Sequence, residues 1–289
     1  MATTRYCFSG HESFHCKSLW LKKGYDFLAE GYAFNSPDAV VRLGVGKNMV
    51  SAIRFWMKAF GLTINDTPTE LARYIFAHND GVDSFLEDIN TLWLLHYSLV
   101  KSNVASLYNL LFLEFQREKK EFDKSSLQSF IKRKCSVPEQ KNVYNENTVK
   151  KDINVLLQNY IMPTSLKSIE DFSALMIGLN LILQFPASNI EKSDSYYFNE
   201  TKVSTISPSV ILYALIDIKG DDNTVSFDKL KDLSLIFCLS VTGLIEIIKS
   251  LESSYPKLHY TDNSGIKNVQ FTGTIDKFEV LDDYYHSSL

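Results

Sequence analysis

Two clusters in the first sixty residues carry side chains that could do chemistry. His11-Glu12-Ser13-Phe14-His15 satisfies H-E-x-x-H, the spacing at which two histidines on one helical face bind zinc and the glutamate acts as base. The context argues against that use. The match follows Phe8-Ser9-Gly10, no apolar helix leads into it, and no third ligand stands at a recognisable spacing. A structural zinc on Cys7, His11, His15 and Cys16 is weakly supported, so no metal ligand is assigned. The same residues could instead serve phosphodiester cleavage, with His11 as general base and Glu12 as ligand to magnesium. They are the candidate catalytic pair, and magnesium is the cofactor this chemistry takes. Such sites usually converge two or more carboxylates. Asp26, Glu30 and Asp38 are near in sequence without diagnostic spacing, and no PD-(D/E)xK, HNH or GIY-YIG pattern is present. The plainer alternative is that Gly10-His11-Glu12 caps and anchors the following helix.

The second cluster is basic. Lys47, Ser51, Arg54 and Lys58 step by four, three and four residues, with Asn48 beside Lys47 and Arg42 shortly before. On a helix they share one face. Lys and Arg suit phosphates or guanine, Asn suits adenine, and Ser suits a phosphate oxygen. The tetrapeptide Gly44-Val45-Gly46-Lys47 imitates a phosphate loop. Walker A, however, needs glycine five residues before Gly46, where Val41 stands.

The elements that must position these groups are helices. Pro37 and Asp38 open a short helix behind Ser36 as cap, and it stops at Gly44. The next helix buries Met49, Val50, Ile53, Trp56, Met57 and Phe60 at helical spacing. Together they predict a helix-turn-helix. A solvated helical hairpin is the alternative. A second basic hairpin follows. A helix from Ser125 to Lys134 ends in Lys132, Arg133 and Lys134. A helix from Thr148 to Tyr160 turns Val149, Ile153, Leu156 and Leu157 inward and Lys150, Lys151, Asn154 and Gln158 outward. Residues 66–100 predict two core helices, the second near Val82 to Leu99. Residues 104–122 predict an amphipathic helix. The apolar run over 168–185 predicts a buried helix ended by Pro186, and polar residues 187–205 predict a linker or irregular strand pair. Residues 206–273 resemble a winged helix, with a helix at Ser240–Leu251 in recognition position and Asp262–Asn268 as the wing. There Glu246, Lys249 and Glu252 are too acidic for a phosphate surface, so that unit is expected to contact protein.

The 289 residues carry a net charge of −4, unevenly spread. Residues 1–60 hold eight Lys/Arg against four Asp/Glu, and 101–167 hold twelve against seven. Residues 61–100 hold one against six, and 168–289 hold nine against seventeen. Local patches rather than the total set where a polyanion docks. Cys7, Cys16, Cys135 and Cys238 show no paired framework, and no apolar run reaches spanning length. A reduced cytoplasmic setting, with no membrane, is expected.

Two stretches, FSGHESFHCKSLWLKKGYDFL and DAVVRLGVGKNMVSAIRFWMKAFGL, resemble a bacterial family of unknown function associated with DNA phosphorothioate modification and phage-defence clusters, the SspB-like DNA-nicking components. The shared positions are His11, Glu12, Lys23, Gly24, Tyr25, Gly44, Gly46, Lys47, Asn48, Arg54 and Trp56. Proline is common in that family where this chain has His15, which argues further against zinc. The resemblance covers essentially the whole chain. It implies double-stranded DNA as ligand and, as partners, a sulfur-transfer enzyme, a cysteine desulfurase and an ATPase. It assigns no catalytic residue.

The expected fold is mainly α, with helix-turn-helix and winged-helix units and small β-hairpin wings. The expected domains are residues 1–64, a helical middle over 65–200 and a winged-helix-like unit over 201–289. The expected function is DNA binding in a phosphorothioation system, with nicking as the activity that would let sulfur in. A transcriptional regulator and a non-enzymatic adaptor recruiting a sulfur-transfer enzyme are the alternatives.

Overall fold

The computed structural model describes residues 5–163, 173–187, 194–263 and 266–286. The chain is mainly α-helical with small antiparallel sheets. Residues 1–199 and 200–289 form two compact units.

In the first unit, an irregular stretch runs to α1 (Trp20–Ala29), then α2 (Ala39–Leu43) and α3 (Lys47–Ala59). Helix α2 ends at Gly44, whose φ of 64° is the left-handed conformation that glycine adopts without a Cβ penalty. Helix α3 buries Val50, Ile53, Trp56 and Met57, and Phe60 just beyond it is also buried. Gly24 lets α1 approach it closely. A Cβ there would meet the Met57 side chain at 2.9 Å.

A short hairpin follows, β1 (Thr63–Ile64) and β2 (Thr67–Pro68), paired antiparallel. Its two-residue loop is Asn65 and Asp66, with φ of 49° and 60°. Positive φ at both positions marks the primed turns whose twist matches paired strands. Helix α4 (Glu70–Phe76) is capped by Thr69, whose side chain accepts the Ala72 N–H.

Helix α5 (Ile89–Ser102) starts at the Asp88 cap, later than Val82, because residues 82–88 form turns around the Asp83 carboxylate, which accepts the Glu87 and Asp88 N–H groups. The amphipathic helix expected over 104–122 is α6 (Ser106–Asn109), a π-helical stretch Leu110–Phe115 and α7 (Gln116–Glu118), followed by strand β3 (Glu121–Phe122). Helices α8 (Lys124–Lys134) and α9 (Glu146–Tyr160) pack together.

Over the described residues 173–185 the apolar run before Pro186 forms no α-helix. Residues 168–172 lie outside the described residues. Ile177–Leu179 is one 3-10 turn, and Ile182–Phe185 is strand β4. Asn180, at φ 52°, breaks the run. The apolar residues that follow pair with strand β5 (Ser195–Phe198) in a sheet ordered β3-β5-β4. A continuous apolar run suits a buried strand as well as a helix.

The second unit contains α10 (Pro208–Lys219), β6 (Thr224–Ser226), α11 (Phe227–Ile236), α12 (Val241–Leu251), β7 (Leu258–Asn263), β8 (Ile266–Phe271) and α13 (Lys277–Tyr285). Its sheet order is β6-β8-β7. Among the described residues no single helix is long and apolar enough to cross a membrane.

Candidate nucleic-acid interface

The outer face of α3 is built by its inner one. Burial of Val50, Ile53, Trp56 and Met57 leaves Lys47, Asn48, Ser51, Arg54 and Lys58 all exposed along one side. Lys47 and Lys58 make no ion pair among the described residues. Arg54 is different. Its Nε and Nη2 lie 2.9 and 2.7 Å from the two carboxylate oxygens of Asp66 at the hairpin tip. A shallow pocket of about 360 Å³ opens there, lined by Ser51, Arg54, Phe55, Lys58, Thr63, Asn65 and Asp66. Arg42 is also engaged. Its guanidinium lies 3.8 Å over the Tyr32 ring and pairs with Asp38. Asp38 occupies the cap position of α2 but spends its carboxylate on Arg42 rather than on the helix N-terminus. The Arg42 hydrogen bond holds the Asp38 carboxyl below its ordinary range.

His11 and Glu12 lie on a turn, not a helix, and Glu12 and Ser13 have φ of 49° and 63°. His11 is buried, 4% exposed. Its ring stacks on Trp56 at 5.7 Å and meets Phe55 edge-on at the same distance. Its Nδ1 accepts the Ser13 N–H at 3.2 Å. That leaves Nε2 to carry the proton, 3.1 Å from Asp152 Oδ1. The approach is oblique, and Oδ1 has no well-aligned donor. The other Asp152 oxygen accepts the Ser9 N–H at 2.7 Å. Two turns along α9, Asn159 accepts the Cys16 N–H at 3.0 Å and donates to the Tyr108 hydroxyl at 2.5 Å. The N-terminal stretch is therefore pinned by buried polar side chains of α9, and His11 wedges it against the back of α3. Glu12 is exposed. His15 sits elsewhere, in a cleft of about 390 Å³ lined also by Lys124, Asn154, Gln184 and Tyr196. The two histidines of the H-E-x-x-H match thus face different surroundings.

Partial desolvation pushes the thiol of Cys7 up, the Asp152 carboxylate adds to that, and the Lys58 ammonium opposes it.

The second basic hairpin is largely self-neutralised. Arg133 binds both oxygens of Glu118 at 2.6 Å, Lys134 pairs with Glu114, and Lys150 lies 2.7 Å from Glu146. Lys132 and Lys151 remain without an ion pair among the described residues. In the second unit, Glu246 is exposed on α12, whereas Glu252 accepts the Tyr260 N–H at 2.9 Å. On β7–β8, Lys267 lies 3.4 Å from Asp262.

Sequence reasoning missed Asp66, Asp152 and Asn159. The signal for Asp66 was available, since Asn65-Asp66 between Thr63-Ile64 and Thr67 is a hairpin turn pair. The helical period of α9 places Asp152 beside Val149, on the inward face, so a buried carboxylate was legible there although its partners were not. Among the described residues no group of three or more His, Cys, Asp or Glu side chains could hold a metal ion.

Two solved structures resemble the chain over most of its length. A magnesium-ion-bound SspB crystal structure matches with a TM-score of 0.81 and 26% identity, covering 96% of this chain and 88% of that one. A second SspB crystal structure matches with a TM-score of 0.79, at the same identity and coverage. Comparison with curated proteins gives no match. Residues 8–285 match the family described as "Protein of unknown function (DUF4007)", and the chain belongs to that family.

Proposed function

We propose that this chain is the DNA-binding component of a phosphorothioation-type DNA modification system, the kind of system to which SspB belongs. The observation that carries the reading is the outer face of α3, where Lys47, Asn48, Ser51, Arg54 and Lys58 are exposed together. From Lys47 to Lys58 the face extends about 16 Å at 1.5 Å per residue. Helix α2, the Gly44–Gly46 turn and α3 serve as a helix-turn-helix, with α3 in the groove. Lys47 and Lys58, having no ion pair among the described residues, supply the phosphate attraction. Lys132 and Lys151 are a second, separate set of phosphate contacts in this reading, while Arg133 and Lys150 contribute less because each already holds a carboxylate. The acidic second unit, arranged as a winged helix, serves protein contact, with a sulfur-transfer enzyme, cysteine desulfurase or ATPase of the system as partner. Like charge disfavours its docking on phosphates.

Nicking is the activity the resemblance attaches to this reading. His11 positions the N-terminal turn, and Glu12 is the exposed carboxylate nearest to it in sequence. Duplex binding measured alongside relaxation of supercoiled plasmid, with and without magnesium, tests the reading. Salt-sensitive binding with magnesium-dependent nicking supports it. Binding confined to a single promoter would favour a regulator, and binding without nicking would favour an adaptor.

A further inference from the structure

Resting on the reading that α3 docks on duplex DNA, we infer that Arg54 reads a guanine and that Asp66 on the hairpin is what makes it a base reader rather than a phosphate contact. A guanidinium has five N–H groups in one plane. Asp66 takes the side edge, Nε at 2.9 Å and Nη2 at 2.7 Å. The end edge, made by Nη1 and the outer N–H of Nη2, keeps two parallel donors. That donor pair matches O6 and N7 of guanine in the major groove. The carboxylate neutralises the guanidinium and would repel a phosphate at the same place, whereas the guanine edge is an uncharged acceptor pair. Specificity thus arises from a repulsive element as well as an attractive one.

The geometry is held from both sides. Arg54 projects from a helix whose inner face is fully buried. Asp66 sits in a two-residue turn closed by the Thr63–Pro68 and Ile64–Thr67 pairs. The hairpin base is tied by the Thr69 hydroxyl, which donates to the Gly61 carbonyl at 2.9 Å, and by the Thr69 N–H to the Leu62 carbonyl at 3.0 Å. Both partners are half-exposed, 51% and 33%, so a groove edge can reach the free donors. Lys58 and Ser51 share the pocket and remain for the backbone.

The test is selection from a duplex pool with a randomised centre, followed by affinity against salt for full-length wild type, Arg54→Ala, Arg54→Lys and Asp66→Asn, with melting temperatures checked. The wild-type pool should fix a guanine at one position, and replacing it should weaken binding about tenfold. Arg54→Ala and Arg54→Lys should both lose that preference, and Arg54→Ala should leave the salt slope nearly unchanged. Asp66→Asn should steepen the slope by about one unit and blur the preference. If Arg54→Ala keeps the guanine and lowers the slope by about one, Arg54 is a phosphate contact and the inference is wrong. A wild-type protein that binds duplex without any guanine preference overturns this inference alone. One that binds no duplex overturns the DNA reading and this inference together.

Discussion

His11 and Asp152 meet in the interior, His11 Nε2 lying 3.1 Å from Asp152 Oδ1. The pair joins the N-terminal turn to α9, while the imidazole face rests on Trp56 of α3. A residue that resembles a zinc ligand in sequence is thereby the link between the chain's start, its middle helix and the back of the basic face. Removing the imidazole takes away the ring packed on Trp56 and the polar neighbour of the buried Asp152 Oδ1, and large-to-small truncations in a core typically cost about 2–5 kcal/mol. His11→Ala should therefore lower stability by a few kcal/mol in urea unfolding, and Asp152→Asn by less, since an amide oxygen can still accept the Ser9 N–H. Wild-type unfolding midpoints in both variants would show that the contact holds nothing together.

Glu12 separates structure from chemistry. It is exposed on the turn, so Glu12→Gln should leave the unfolding free energy within about 0.5 kcal/mol of wild type. A nicking role requires plasmid relaxation to collapse in this variant while DNA affinity holds. Near-normal relaxation would remove Glu12 from the chemistry.

Trp56 is fully buried and donates its Nε1–H to the Phe14 carbonyl at 3.1 Å. Trp56→Ala should cost about 3–5 kcal/mol, as large core truncations do. A variant that melts like wild type yet loses DNA binding would instead make Trp56 a contact residue.

Helix α8 offers a pH test. Asp123 caps it in a reciprocal box with Ser126, and its carboxyl is held below the ordinary aspartate range, first by the Ser125 hydroxyl and then by the Ser126 N–H. A depressed folded pKa adds stability above the unfolded pKa and loses it as pH falls through the folded one. Asp123→Ala should cost about 1 kcal/mol at neutral pH, and the gap from wild type should shrink as pH falls below about 4. A gap independent of pH would mean the cap's charge contributes nothing.

The sequence was legible where side-chain period decides burial. The stripe Val50, Ile53, Trp56 announced both faces of α3, and Gly44 announced the end of α2. The run ending at Phe185 was not legible, because an apolar stretch without period suits a strand or a helix equally, and its pairing with β5 is a tertiary matter. The same limit hid the site's electrostatics. Arg54, Arg42, Arg133 and Lys150 read as available cations, but Asp66, Asp38, Glu118 and Glu146 claim them. Two of these partners stand four residues away on the same helical edge, where the spacing alone predicts the pair. Asp66 and Glu118 are brought in by a turn and by helix packing.

The central claim, that the outer face of α3 binds DNA, rests most directly on Lys47 and Lys58. Fluorescence anisotropy of a labelled duplex, titrated at several salt concentrations with wild type and with the Lys47→Ala/Lys58→Ala double variant, measures it. The log affinity against log salt should flatten by about two units in the double variant, with the melting temperature unchanged. A double variant that binds with the wild-type affinity and slope would contradict the account.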